Sequence, residues 1–580
     1  MSSGYIGYII ENNDPHASVS LTVSEPESGV TLLGFSVTYD EATVPSPIDI
    51  IWLEPCIDIL SEWTPRTELD RSLGPNWRRR RSPARLASSA PVMQWISGAG
   101  ENRLCVAISD AETPTEISGG IHEETATLRC HATFFTQPLN KMTSYSAVVR
   151  LDRRHVRYEQ ALRAADRFWV EHGYRYAYVP DAARDAVYSC WYSFHQNVHT
   201  DAVLAQCRLA KELGMETVIV DDGWQTDDVS RGYARCGDWE VAGAKIPSMR
   251  ELADGVHALG MKLVIWYSVP FIGKNTKAYE RFSDMTLGVA GRDFEALDPR
   301  FPEVRQYLIG LYTDAAREWG IDGFKLDFID AFSLKKETPP TDPRRDTESL
   351  EEGVDRLLAE ATAALRAINP DVLIEFRQTY YGPAVRKYGN MFRVSDCPDD
   401  PMRNRAKAVD MRYILGDVPV HSDMLMWHDA DTPEAVAYQM MTVLPTVPQI
   451  SVLLDRIPTA QYEVLAFWLA FWRRHRDTLL LGDIEGDNPE ALYSRVRMTG
   501  KNEGIIVCYT DPTAALPASG RLYVCNATCG TRLILNADAA RTCRITVRDP
   551  RGSIVCTDER SLAPGAHVFD VPAGGMLKIE

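Results

Sequence analysis

Residues 187–224 read VYSCWYSFHQNVHTDAVLAQCRLAKELGMETVIVDDGW, and this stretch decides the class of fold. Short apolar runs predict one β-strand over Val187–Trp191 and a second over Thr217–Asp222. Between them, apolar residues at helical spacing predict a helix over Asp201–Leu213, with Thr200 as its N-cap. A strand, a helix and a further strand in this order are typical of a parallel sheet.

The same alternation continues to about residue 480. Eight strands in series, separated by helical segments, predict a (β/α)8 TIM barrel, whose usual size is about 250 residues plus insertions. The longest predicted insertion, Leu334–Arg345, follows the fourth strand. The predicted strands are Val187–Trp191, Thr217–Asp222, Lys262–Tyr267, Gly323–Asp327, Val372–Arg377, Phe392–Asp396, Val418–Asp423 and Gln449–Leu454.

The segments on either side of the barrel have sequence patterns typical of β-strands. Short alternating runs such as Ser18–Ser24 and Thr127–Phe135 predict an N-terminal β-sandwich, followed by a connecting helix over Glu159–Glu171. Runs after residue 483 predict a small antiparallel C-terminal β-sandwich. We therefore expect three domains, over residues 1–180, 181–482 and 483–580.

The composition excludes several classes of function. The 580 residues include 62 Lys and Arg against 80 Asp and Glu, a formal net charge of −18, which argues against a nucleic-acid surface. The longest apolar run, Val464–Trp472, is far shorter than the ~20 residues that span a membrane. The N-terminus has no signal-peptide pattern, and the 12 cysteines form no regular framework. A cytoplasmic protein with free thiols is expected.

Acidic, basic and aromatic residues recur at the predicted strand ends, where a TIM barrel carries its active site. Aromatic rings cover the apolar faces of a hexose, and carboxylates accept hydrogen bonds from its hydroxyls. The candidate residues are Trp191, Asp221, Asp222, Trp266, Lys325, Asp327, Glu375, Arg377, Arg393, Asp396 and Asp423.

Two other interpretations of these residues remain open. One acid at a strand end is usually a cap or turn residue, although recurrence at six ends favours a common site. A cation is the second alternative, because Asp221, Asp222, His421, Asp423 and Asp429 are all suitable ligands. They lie on different strands without a tight ligand motif, so a metal-dependent hydrolase is the less favoured interpretation.

Five motifs make the chain resemble the melibiase superfamily, the clan of glycoside hydrolase families 27 and 36, and most of all family 36, the bacterial α-galactosidases. The resemblance covers about half of the chain and implies a retaining α-glycoside hydrolase without cofactor or metal. The motifs are DDGW at 221–224, MKLVIW at 261–266, GIDGFKLDF at 320–328, RVSDCPDD at 393–400 and PQISVLLDR from 448.

The resemblance also implies individual roles. Asp327 would be the nucleophile that forms a covalent glycosyl-enzyme, and Asp396 would be the general acid and then the base. Lys325 would keep the nucleophile ionised. Asp221 and Asp222 would bind the 4- and 6-hydroxyls. Trp191 and Trp266 would line the sugar site, and Asp423 matches an acid of the seventh strand; Asp399 and Asp400 are further candidates for the acid.

The resemblance is incomplete in two places. Family 36 commonly carries a Cys/Gly-rich loop after the fifth strand, where this chain has EFRQTYYG from Glu375, and a Trp where this chain has Arg393. Arg377 and Arg393 could each bind a hydroxyl or an anionic group. Besides α-galactosidase, the alternatives are therefore an α-N-acetylgalactosaminidase, a β-L-arabinopyranosidase, a galactosyl transferase or a non-catalytic carbohydrate-binding protein. An oligosaccharide or glycoside substrate is expected, and the resemblance implies a homo-oligomer. The basic run Arg78–Arg81 predicts an exposed loop or interface patch, with an anion site as the alternative.

Overall fold

A computed structural model describes residues 2–5 and 7–580 of the chain. The chain forms two compact units. The first unit contains residues up to 180, 222–253 and 264–392, and the second contains residues 181–221, 254–263 and 393–580. Each unit combines a part of the barrel with one of the flanking β regions. The three predicted domains, with limits at 180 and 482, stay a prediction.

Within the described residues, the N-terminal region forms two antiparallel six-stranded sheets. Along the strand Val30–Thr43, buried Phe35, Val37 and Tyr39 alternate with more exposed Ser36 and Thr38, so this strand has one apolar face. In spatial order the sheets are Ser2–Tyr5, Tyr8–Asn12, Ile48–Pro55, Thr127–Phe134, Thr115–His122 and Arg80–Ala84, and Ala17–Glu27, Val30–Thr43, Met142–Asp152, Asn102–Ile108, Val92–Ser97 and Ile59–Trp63.

The parallel sheet of the barrel contains eight strands among the described residues, which we number β1–β8, and they follow the order β7-β6-β5-β4-β3-β2-β1-β8. Isolated parallel bridges join His421 to Val447 and Leu425 to Ile450, so the sheet is nearly closed. The strands are Val187–Ser189, Thr217–Val220, Lys262–Ser268, Gly323–Asp327, Leu373–Arg377, Met391–Arg393, Val420–His421 and Gln449–Ile450. The predicted (β/α)8 barrel is confirmed.

Helices connect and flank these strands. Helix Pro302–Trp319 shows how the sequence places a strand: Pro302 begins it, and Gly320, at φ 68°, ends it in the left-handed conformation just before β4. Among the described residues, no helix is long and apolar enough to cross a membrane. The helices are Tyr158–Glu171, Cys190–Phe194, Thr200–Glu212, Met249–Ala258, Lys277–Phe282, Pro302–Trp319, Leu350–Ile368, Pro401–Ile414, Pro433–Thr442, Thr459–Arg474 and Arg476–Leu481, with 3-10 turns at Asn76–Arg78, Asp181–Arg184, Ile329–Ala331 and Pro489–Ala491.

Besides strands that were predicted too long, such as Val187–Trp191, which ends at Ser189 where the helix Cys190–Phe194 begins, two local predictions are wrong. Thr200 is the first residue of its helix, and the cap position belongs to His199, whose side chain makes no capping hydrogen bond. The longest insertion follows β3 rather than β4. It contains a small antiparallel sheet of Phe271–Gly273, Phe294–Leu297 and Thr286–Gly291 before the next helix begins at Pro302. Its short strands are interrupted by glycines and two register shifts, which obscure the alternation in the sequence.

The C-terminal region again consists of two packed sheets around an apolar core that includes Ile506, Val524 and Leu577. Most strand pairs are antiparallel, but Glu503–Cys508 pairs in parallel with Arg521–Asn526, as does Thr513–Leu516 with Arg532–Ala537. Over the described residues the spatial order is Asp483–Asp487, Arg495–Thr499, Glu503–Cys508, Arg521–Asn526, Met576–Ile579, Arg541–Arg548 and Ile554–Leu562, and Thr513–Leu516, Arg532–Ala537 and Gly565–Asp570.

Candidate active site

Asp327 ends β4, and its carboxylate is held by donors from three neighbouring segments. Arg377 Nε donates to Oδ1 at 2.6 Å, Tyr380 Oη at 2.9 Å and the Phe328 backbone N–H at 2.8 Å. Trp266 Nε1 donates to the other oxygen, Oδ2, at 3.1 Å. Charge-assisted bonds of this kind stabilise the carboxylate form, so Asp327 is an oriented, nearly buried anion.

The phenol of Tyr380 acts as a donor in this cluster. Burial, and after it the negative charge of Asp327, raises the pKa of Tyr380 well above its ordinary value. The phenol therefore stays protonated. Burial also raises the pKa of nearby Asp330, against the lowering effect of Arg377 and with a further increase from Asp327. Asp327 thus shares its surroundings with the Arg377 cation and a second acid.

A row of predicted site residues crosses the sheet beside Asp327. Trp266 on β3 pairs in register with Lys325 on β4, which pairs in register with Glu375 on β5. Residues in register across adjacent strands point to the same face, and Asp327, two residues after Lys325, shares that face. All four side chains are buried, with Lys325 at 4% and Glu375 at 1% exposure. The strand register therefore brings Trp266, Lys325, Asp327 and Glu375 together.

Aromatic rings form an apolar wall next to this row. Tyr233 lies 5.2 Å from both Phe271 and Phe294 and 5.3 Å from Phe328, measured between ring centroids, and it stacks on Trp266 at 6.2 Å. The Arg377 guanidinium covers Phe328 at 5.0 Å. Only Trp266 of this wall was predicted, because Phe271 and Phe294 belong to the unrecognised insertion after β3.

Asp222 also belongs to the first unit and is 2% exposed. Its Oδ1 accepts a hydrogen bond from Gln225 Nε2 at 2.7 Å. Lys245 Nζ donates to the carbonyl of neighbouring Gly223 at 3.1 Å, and burial lowers the pKa of this lysine, against the opposing effect of the Asp227 and Asp222 charges. The turn after β2 is therefore held by buried polar contacts.

In the second unit, Arg393 at the end of β6 connects two predicted acids. Its Nη1 lies 2.9 Å from Asp396 Oδ1 and 2.6 Å from Asp423 Oδ1. The Asp396 side chain is 56% exposed, whereas Asp423 is completely buried. Tyr192 Oη and the Cys397 N–H donate to the second oxygen of Asp423 at 3.0 and 2.5 Å. Asp396 is thus the accessible acid and Asp423 the enclosed one.

Burial raises the pKa of Asp423, and Asp396 adds to this effect while Arg393 opposes it. The segment that leads to Asp396 is fixed by Lys407, whose Nζ contacts Ser395 Oγ at 2.6 Å. Two further predicted residues lie in this unit. Asp221 is 3% exposed, and Trp191 contacts the His195 ring at 4.9 Å between centroids.

The alternative acids and metal ligands have other partners. Asp400 caps the helix Pro401–Ile414 by accepting from the Arg403 N–H, and Asp399 accepts from Gln439 Nε2 at 2.9 Å. His421 is fully buried, with Nε2 2.9 Å from the Ala183 carbonyl and Nδ1 3.3 Å from Gln449 Nε2. Within residues 2–5 and 7–580, no group of three or more His, Cys, Asp or Glu side chains is arranged to hold a metal ion.

The basic run Arg78–Arg81 contacts acids and hydroxyls of its own sandwich. Arg79 Nε donates to Ser118 Oγ at 3.0 Å, Arg80 forms an ion pair with buried Glu62, and Arg81 lies 3.5 Å from Glu116. Burial raises the pKa of Glu62 to about 7, against the lowering effect of Arg80. Much of the positive charge of this run is therefore locally compensated.

These observations define a (β/α)8-barrel protein with flanking β-sandwiches and with carboxylates and aromatic rings at its strand ends. Residues 173–368 match the family model for melibiase. This segment, which includes the first part of the barrel, therefore resembles the melibiase superfamily, as its motifs predicted.

Individual relatives agree with this family. The chain is 28% identical over 156 residues to α-galactosidase AgaA of Geobacillus stearothermophilus, covering 25% of this chain and 21% of the relative. It is 30% identical over 160 residues to α-galactosidase Mel36A of Lactobacillus acidophilus, covering 26% and 20%. The matched segments thus span about a fifth of the length of these curated relatives.

Solved structures share the fold over almost the whole chain. A doubly substituted form of the family 36 α-galactosidase AgaA of G. stearothermophilus, in complex with raffinose, superposes with a TM-score of 0.64 at 14% identity. The match covers 99% of this chain and 82% of the other. At this identity the likeness establishes the multidomain fold, including both flanking β regions.

Proposed function

We propose that the chain is a retaining α-glycoside hydrolase, and specifically an α-galactosidase that releases terminal α-galactose from an oligosaccharide or glycoside. The observation that carries the proposal is the surroundings of Asp327. An oriented carboxylate at the end of β4 lies beside an aromatic wall and in one row with Lys325 and Trp266. The names of the relatives, and the raffinose bound in one of them, support the choice of sugar.

In the proposed reaction Asp327 attacks the anomeric carbon while Asp396 donates its proton to the departing glycosidic oxygen. The C1–O bond breaks, and a bond forms between C1 and an oxygen of Asp327, giving a covalent glycosyl-enzyme. Asp396, now a carboxylate, removes a proton from water, and the resulting nucleophile attacks C1 and releases Asp327. Two inversions at C1 retain the α-configuration.

We assign the attack to Oδ2 of Asp327. Oδ1 accepts three hydrogen bonds, from Arg377, Tyr380 and Phe328, which engage its lone pairs. Oδ2 accepts from Trp266 at 3.1 Å, a longer bond that a nucleophile can give up more readily. Lys325, on the same strand face, adds positive charge that favours the ionised nucleophile.

The substrate-binding roles are proposals of the same kind. Asp221 and Asp222 would accept from the 4- and 6-hydroxyls of galactose, and Trp191 and Trp266 would line the sugar site. Glu375, Arg393 and Asp423 would complete the site. The buried Asp423 contributes by holding Arg393. The second candidate is an α-N-acetylgalactosaminidase, because the EFRQTYYG loop beside the nucleophile departs from the Cys/Gly-rich loop that family 36 commonly carries.

The test is a panel of aryl glycosides that differ at the anomeric centre, C2, C4 and C6, with the first product followed by proton NMR. We expect aryl α-galactoside to react fastest and α-galactose to appear before its β-anomer. A preference for the 2-acetamido sugar would select the second candidate. First appearance of the β-anomer would contradict the double displacement, and a lack of turnover on every member would favour a carbohydrate-binding protein.

We also propose that the protein is cytoplasmic and forms a homo-oligomer. All 12 cysteines lie within residues 7–580 and are free thiols, which is the state that a reducing compartment maintains. Fractionation of the source cells tests the compartment, and light scattering on a sizing column tests the oligomer. A single species at 65.0 kDa would contradict the oligomer.

A further inference from the structure

Arg377 ends β5, and the loop that follows it carries Tyr380 and is held by the N-terminal sandwich, within the first unit. Gln378 Nε2 donates to the Pro65 carbonyl at 3.1 Å and to Thr67 Oγ1 at 3.2 Å. The Tyr381 hydroxyl donates to the same Pro65 carbonyl. Gln378 is 1% exposed and Tyr381 is completely buried, so these are enclosed contacts rather than surface ones.

A second segment of the sandwich, at Ser88 and Ser89, also contacts the loop. The Ser89 N–H donates to the Thr379 carbonyl at 2.7 Å, and the hydroxyls of Ser88 and Thr379 lie 3.2 Å apart. The loop approaches so closely that a Cβ on Gly382 would lie 2.0 Å from the Ser89 carbonyl oxygen. Only glycine fits at that position, and the backbones of the two segments are in direct contact.

Two of the sandwich residues that contact the loop, Thr67 and Ser89, have strained backbone conformations. Thr67 has φ 56° and Ser89 has φ 65°, in the left-handed region that residues with a Cβ rarely adopt, and that a β-branched residue adopts least readily. Such conformations persist only where the surrounding structure holds them in place, and they cluster at functional sites. Here both strained residues meet the same loop.

We propose that the N-terminal sandwich is part of the catalytic apparatus, with Gln378 as a positioning residue that holds Arg377 and Tyr380 on Asp327. The inference rests on the proposed role of Asp327 as the nucleophile. A long guanidinium side chain keeps one geometry only when its backbone and surroundings are fixed. Arg377 is fixed by ring contacts to Phe328 and Tyr380 and by its own bond to the Gln378 carbonyl at 3.1 Å.

The charged and titratable groups around Asp327 determine how its ionisation would change if the loop moved. Arg377 comes from the end of β5 and Tyr380 from the loop that follows it. Lys325 comes from the same strand as Asp327, and Asp330 from the turn that follows this strand. Displacing Arg377 removes a cation and leaves Asp330, an acid, in place. The carboxylate of Asp327 would then ionise less readily, and its attack angle would become less precise.

The test compares Gln378→Ala with Gln94→Ala. Gln94 is a matched control, since it is fully buried and its Nε2 also makes two hydrogen bonds, to Asn102 and the Tyr158 carbonyl, without touching the loop. Both variants should lose similar thermal stability. Only Gln378→Ala should lose kcat by about 10-fold or more at unchanged KM and move the acid limb of the kcat/KM profile to higher pH. Equal activity and identical pH profiles in the two variants would overturn the proposal.

A second arm needs no turnover, which separates this inference from the proposed function. Asp residues carrying 13C at the carboxylate are titrated by NMR in the full chain, with Asp327→Asn identifying the Asp327 signal. In Gln378→Ala and in Arg377→Gln the Asp327 titration should move to higher pH, and in Gln94→Ala it should not. If the Asp327 titration does not move in these variants, the positioning role of Gln378 is overturned, even if the enzyme is active. A moved titration supports it even if no glycoside of the panel is hydrolysed.

Discussion

A single nitrogen of Arg393, Nη1, forms ion pairs with two carboxylates of different exposure, Asp396 at 2.9 Å and Asp423 at 2.6 Å. Asp423 is sealed from solvent, whereas Asp396 is the more exposed partner. A buried cation shared in this way serves two purposes. It neutralises the enclosed acid and it orients the accessible one, which is the residue proposed to donate and accept the proton.

Removing Arg393 should therefore cost stability. In Arg393→Met the buried Asp423 loses its cation, and breaking a buried pair from one side typically costs about 3–5 kcal/mol. The double variant Arg393→Met with Asp423→Asn should recover most of that loss, because neither charge remains buried alone. Urea unfolding of the four proteins measures the coupling. A single-variant loss below about 1 kcal/mol would show that Arg393 does not neutralise Asp423.

The nucleophile is tested by chemical rescue. Asp327→Ala should lose turnover on an aryl α-galactoside by about 10⁴-fold or more, because the covalent intermediate can no longer form. Azide can occupy the vacated space and attack C1 directly, so added azide should restore turnover and yield the β-galactosyl azide. Asp322 immediately precedes β4, at the other end of the strand from Asp327. Asp322→Ala is therefore the control and should keep its turnover. Retention of half the activity in Asp327→Ala would place the nucleophile elsewhere.

The acid is tested by the quality of the leaving group. Asp396→Ala should slow hydrolysis of raffinose by about 10²–10⁴-fold, since an alkoxide leaves only with a proton, but should slow a dinitrophenyl galactoside far less at the first step. The ratio of the two kcat/KM losses is the measurement. Asp399→Ala runs beside it as the rival assignment. If the leaving-group dependence appeared in that variant instead, Asp399 would be the acid.

Much of the barrel was predictable because its strands are short, buried and bounded by turn residues. The predicted limits of β4, Gly323–Asp327, are those observed, since Gly320 ends the preceding helix and an acid ends the strand. Other strands were predicted too long. For β7, the prediction Val418–Asp423 shrinks to Val420–His421, because the residues that follow are buried in a loop and apolar patterns do not separate buried loops from strands.

The partners of Asp327 were less accessible to sequence analysis. Arg377 was predicted to bind a hydroxyl or an anion, but in the structure it binds the carboxylate of Asp327. Tyr380, Phe271 and Phe294 were not predicted as site residues. They reach Asp327 or its aromatic wall from a loop and from the insertion after β3, so their positions depend on tertiary packing that spacing along the chain does not encode.

The last prediction concerns acid stability and the buried His421. Burial lowers its pKa from the usual 6.5 to about 4, with the hydrogen bond to the Ala183 carbonyl opposing that shift. His421 therefore takes up its proton near pH 6.5 in the unfolded chain but only near pH 4 in the folded protein. The stability contribution of neutral His421 is present above pH 6.5 and is lost as the pH falls towards 4, at about 1.4 kcal/mol per pKa unit, or about 3 kcal/mol in all.

His421→Gln keeps a side-chain N–H for the Ala183 carbonyl and cannot titrate. Between pH 7 and pH 4 the wild-type protein should therefore lose about 3 kcal/mol more unfolding free energy than this variant, because the carboxylates that titrate in the same range are common to both. Urea unfolding at half-unit pH intervals measures the difference. Parallel curves for the two proteins would mean that His421 takes up its proton equally in the folded and unfolded states, and that its burial is not what limits stability in acid.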